Sequence, residues 1–67
     1  MMKQVIGENS GLIWNLLNRE GEVELSYLLK ISKLNEADFN MALGWLAREG
    51  KVSFFSKELK QMVFLVY

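Results

Sequence analysis

The chain has 67 residues, 51% of them hydrophobic, and eight basic residues balance eight acidic ones. That length allows one small domain with a modest core, and that apolar content excludes a disordered chain. Without cysteine or histidine there is no disulfide framework, no thiolate chemistry and none of the usual nitrogen or sulfur ligands of zinc.

In chain order, residues 5–19 read as a first helix. Val5, Leu12, Ile13 and Leu16 fall on one helical face, with Ile6 and Leu17 at its margin. Gly7 and Gly11 weaken its first turns, and Trp14 projects away from that face. The helix breaks at Glu20-Gly21. Glu22-Val23-Glu24 alternates as a brief strand does. Leu25 to Ser32 reads as a second helix that contributes Leu25, Leu28, Leu29 and Ile31. Ser32-Lys33-Leu34 is a turn. Asn35 is a good N-cap, and Asp38 three residues on gives a variant of the capping box. The third helix runs from Glu36 to about Arg48 with Phe39, Ala42, Leu43 and Leu46 on one face. Gly50 stands where a left-handed C-cap is expected. The predicted core is Phe39, Leu43 and Leu46 packed with Leu12, Leu16, Leu28 and Leu29.

Lys51 to Ser56 and Gln61 to Tyr67 read as two strands of a hairpin around a polar turn, Lys57-Glu58-Leu59-Lys60. The last strand is apolar on both faces. Val52, Phe54, Phe64 and Val66 are expected to fill the core. Phe55, Val63, Leu65 and Tyr67 are then expected on the outer face.

Helix, short strand, helix, turn, helix, hairpin is the winged-helix order. The stretch 21–52, GEVELSYLLKISKLNEADFNMALGWLAREGKV, resembles the shared core of bacterial winged helix-turn-helix proteins. With Ile6-Gly7-Glu8-Asn9 and Gly44-Trp45-Leu46, the whole chain is similar to a family of very small bacterial and archaeal winged-helix proteins without assigned function. The resemblance implies an α+β fold with three helices, a short strand and a C-terminal β-hairpin wing, as one domain over residues 1–67. It implies DNA binding by analogy of fold.

Enzyme activity is not expected. No phosphate-binding glycine loop and no nucleophile with an adjacent base is present, and Glu20, Glu22 and Glu24 read as a solvated edge. No cofactor or metal is expected. No apolar run approaches the roughly 18 residues of a membrane span. The N-terminus lacks the pattern of a secretory leader, so the expected location is the cytoplasm.

The expected role is regulatory, in or near transcription, with DNA binding inferred from the fold; the alternative is a winged helix used only for protein–protein contact. For double-stranded DNA, the N-terminal part of the third helix would enter the major groove. Asn40 is then a candidate adenine reader and Arg48 a candidate phosphate or guanine contact. Lys30 and Lys33 flank the turn, and Lys57 and Lys60 lie at the wing tip, as candidate phosphate contacts. Net charge zero and the acids Glu36 and Asp38 oppose this, so any such binding should be weak and salt-driven. The acids also have a structural reason to be there, since they complement the helix dipole and cap. For a protein partner, the outer strand face of Phe55, Val63, Leu65 and Tyr67, with Trp14, Met41 and Trp45, is the expected surface. A homodimer through that face is the expected assembly, with Met1 to Ile6 as an alternative cover.

Overall fold

The fold rests on a computed structural model that describes the backbone of residues 2–67 and the side chains from Gly7 onward. The elements are α1 (Met2–Glu20), β1 (Val23–Glu24), α2 (Leu25–Ser32), α3 (Glu36–Arg48), β2 (Val52–Lys57) and β3 (Lys60–Leu65). The strands form one antiparallel sheet in the order β1-β3-β2. The fold class is α+β, a winged helix-turn-helix with β2 and β3 as the wing.

Local chemistry sets the helix ends. Asn35 caps α3, its side-chain oxygen accepting from the Asp38 N–H at 2.8 Å. Asp38 returns the contact through its carboxylate, which accepts from the Asn35 amide at 3.1 Å rather than from the cap's backbone. At the other end Gly50 has φ +70°. Its N–H donates to the Ala47 carbonyl, and the Lys51 N–H donates to the Leu46 carbonyl. Those two bonds make a Schellman cap, which needs a left-handed residue at this position. The cap turns the chain directly into β2.

The core lies between the three helices and one sheet face. Phe39, Ile13, Leu17, Leu28 and Val63 are its largest fully buried side chains. Leu16, Leu43, Leu46, Val52 and Leu65 are buried around them, and Leu25 and Leu29 pack against the cluster half-buried. The polar Ser10 is also buried, its hydroxyl donating to the Ala42 carbonyl at 3.2 Å. That bond ties α1 to α3 where the two helices cross.

Four expectations need correction. The first helix runs unbroken through Gly7 and Gly11. Its buried side centres on Ile13 and Leu17, which leaves Leu12 exposed. Val5 and Ile6 lie outside the described side chains. The wing turn is shorter than expected: Lys57 pairs with Lys60, and only Glu58 and Leu59 connect the strands. The third correction matters most. Val52 pairs with Leu65 and Phe54 with Val63. Val63 and Leu65 are therefore core, while Phe64 is half-buried on the other sheet face and Val66 is exposed. The outer face instead carries Phe55 and Phe64, whose rings meet edge to face at 5.9 Å. Phe54 shares the inner side at its margin and is partly exposed. The fourth follows from it: the expected dimer surface of Phe55, Val63, Leu65 and Tyr67 is not one face of the protein. One residue of phase separates the two assignments, and a strand apolar on both faces gives no alternation to fix that phase.

Candidate functional site at the third helix and the wing

The α3 cap and the short wing turn together shape a groove of about 440 Å3. One wall is the N-terminal half of α3, with Glu36 and Asn40. The other is the wing, with Leu59, Lys60 and Gln61. The floor is apolar, formed by Leu25 and Leu29 of α2 and by Phe39. Glu24 stands at one end.

Two carboxylates and one ammonium thus border this groove, and the ammonium is already engaged. Lys60 Nζ lies 3.7 Å from a Glu24 carboxylate oxygen. The other Glu24 oxygen accepts from the Ser26 hydroxyl. The ion pair is largely exposed, so it contributes at most about 1 kcal/mol to stability. Its electrostatic effect is larger in consequence: among the described residues, it cancels the one positive charge of the groove and leaves Glu36 uncompensated there.

The wing turn has an unusual backbone. Glu58 and Leu59 have φ of +52° and +68°. A two-residue hairpin loop with both φ positive is the type I′ geometry, which favours Asn-Gly because other residues are strained there. Here a glutamate and a leucine occupy it. The Leu59 side chain is fully exposed at the groove's rim.

Compared with known proteins, residues 1–65 match the family described as winged helix-turn-helix domain (DUF2582). The chain belongs to that family. It is 44% identical over 61 residues to the uncharacterized protein MJ1608 of Methanocaldococcus jannaschii, covering 87% of this chain and 84% of that one. It also superposes on the solution NMR structure of protein BT2368 from Bacteroides thetaiotaomicron with a TM-score of 0.84 and 31% identity. That likeness covers 97% of this chain and 79% of the other.

Within this winged helix-turn-helix domain the expected DNA contacts do not converge. Asn40 and Lys60 line one groove, and Lys60 is paired with Glu24. Arg48 is in the last turn of α3, about 12 Å along the axis from Asn40 at 1.5 Å per residue. Lys30 lies in the last turn of α2, and Lys33 forms its left-handed C-cap. Lys57 is exposed across the hairpin from Lys60. The basic groups are scattered over four elements, α2 with its cap, α3, β2 and β3, and the acids Glu36 and Asp38 occupy the first turn of α3.

The aromatic residues expected at a partner surface also separate. Trp14, which packs half-buried against the core rather than projecting away from it, and Trp45 both line a second, smaller groove of about 290 Å3 between α1 and α3, which Gly7, Gly11 and Lys51 also line. Met41 is exposed on α3. Tyr67 is exposed, its hydroxyl donating to the Asn18 side-chain oxygen at 2.7 Å. Sequence reasoning missed Glu24, Leu29, Leu59 and Gln61 as groove residues. The available signal was Leu59 itself, a large apolar residue in a turn that lacks both glycine and asparagine.

Proposed function

We propose that this domain is a non-enzymatic regulatory module that works by protein contact, with the groove between α3 and the wing in the place where other winged helices meet duplex DNA. The observation that carries this reading is the composition of that groove: apolar floor, acidic rim, and its lysine neutralised by Glu24. Duplex DNA presents a dense row of phosphates, and its affinity comes mainly from lysine and arginine placed against them. Here Glu36 and Asp38 meet that row first. Burial of an apolar partner side chain on the half-buried Leu25 and Leu29, by contrast, is favourable in proportion to the area covered. The family fold supports a regulatory role and makes DNA the natural competing ligand, so DNA is the test.

A labelled mixed-sequence duplex, titrated and followed by fluorescence anisotropy, separates the two. The wild type is expected to bind no more tightly than about 100 μM at physiological salt, the weak end of the non-specific range. The variant Glu36→Gln with Asp38→Asn is expected to bind several-fold tighter. Tight, sequence-selective binding by the wild type would overturn the proposal.

A further inference from the structure

We infer that the groove is a clamp for a partner segment that presents a large apolar side chain and a lysine or arginine together. The inference rests on the protein-contact reading and names the chemistry of the partner. The apolar side chain sits on Leu25 and Leu29, the half-buried residues of the floor. The cation meets Glu36, and Leu59 closes over the apolar group from the wing.

Charge selects the partner. With Lys60 held by Glu24, the groove carries one uncompensated carboxylate, Glu36. An apolar-acidic segment would place like charges side by side, which is destabilising. A purely apolar segment would desolvate Glu36 with nothing in exchange. A segment with both features satisfies the floor and the rim at once.

The wing turn supplies an independent argument. Two consecutive non-glycine residues with positive φ are strained, and Leu59 touches nothing that offsets the strain, because it is fully exposed. Asparagine and glycine would relieve it at once. Strained conformations that persist without an internal gain are found where they serve binding or catalysis. The geometry holds a leucine out at the edge of an apolar groove, which is where a binding residue would be needed.

The test uses amide proton–nitrogen correlation spectra of the 67-residue chain, titrated with the capped pentapeptide Ala-Leu-Ala-Arg-Ala. Two control peptides replace its arginine with glutamate or its leucine with serine. Saturable shifts at Leu29, Glu36, Asn40 and Gln61 are expected with the first peptide and not with the controls. Glu36→Gln should weaken binding about two- to fivefold, the range of an exposed ion pair. The double variant Glu58→Asn with Leu59→Gly should melt at a higher temperature and yet bind roughly fivefold or more weakly, as expected when part of a leucine's burial is lost. Equal binding of the glutamate control overturns the clamp. So does a double variant that melts higher and binds unchanged. If neither the peptide nor duplex DNA binds, the clamp is wrong and the protein-contact reading stands. If duplex DNA saturates this same groove, that reading itself fails.

Discussion

Replacing Leu65 with lysine should unfold the domain, whereas the same change at its neighbour Phe64 should leave it folded. Leu65 is 8% exposed and pairs with the buried Val52. Removing a buried leucine forfeits about 2–5 kcal/mol. Burying an unpaired ammonium in its place adds several kcal/mol more. At about 0.05–0.15 kcal/mol per residue, a chain of 67 residues has only about 3–10 kcal/mol of stability to lose. The sum meets or exceeds the whole. Phe64 lies on the opposite face, where a lysine can rest its stem on the sheet and keep its head in water. The main loss there is the edge-to-face contact with Phe55, about 0.5–1.5 kcal/mol beyond its area. Urea unfolding followed by circular dichroism reads both variants. With a slope of about 1 kcal/mol/M for so small a domain, that loss at Phe64→Lys should lower the midpoint by about 0.5 to 1.5 M. A cooperative, near-wild-type transition for Leu65→Lys, with Phe64→Lys unfolded, would mean that β3 presents its other face to the helices.

The remaining expectations concern helix ends and glycines. Gly50→Ala forces an alanine into φ +70° and should cost about 1–2 kcal/mol, seen as a fall of roughly 5–15 °C in the calorimetric Tm. An unchanged Tm would remove the Schellman cap from the account. Asn35→Ala deletes the acceptor of the 2.8 Å bond from the Asp38 N–H and should cost about 1 kcal/mol in denaturant melts. Gly44→Ala should act in the opposite direction. An added methyl there meets nothing within 4 Å, so helix propensity alone should stabilise the domain by up to about 1 kcal/mol. A loss of stability at that position would show that α3 packs more closely than described.

The parts of the fold with local chemical signals were legible in the sequence. Asn35 and Gly50 each carry a capping mechanism, and the bounds of α3 follow from them. β3 had no such signal. Met62 to Val66 is apolar throughout, so the inner residues Val63 and Leu65 could not be told from Phe64 and Val66 by pattern. The buried side of α1 was displaced for a different reason. Ser10 lies on it and is polar, yet its hydroxyl is satisfied by the Ala42 carbonyl, and a count of apolar positions passes over such a residue. The site was the least legible. Its acid Glu36 stood out, with Asp38 beside it in the first turn of α3, but the groove arises from the spatial approach of the wing to α3. The pairing of Lys60 with Glu24 depends on β1 joining the sheet beside β3. Neither contact is local in the chain.

The most direct test of the central claim is an amide shift map of the wild-type chain with a 20-base-pair duplex at about 150 mM salt, where screening beyond roughly 8 Å leaves mainly close contacts. The groove of apolar floor and acidic rim predicts no saturable shifts along α3 or the wing. Saturable shifts at Lys33, Asn40, Lys57 and Lys60 would place duplex DNA on the recognition helix and contradict the account.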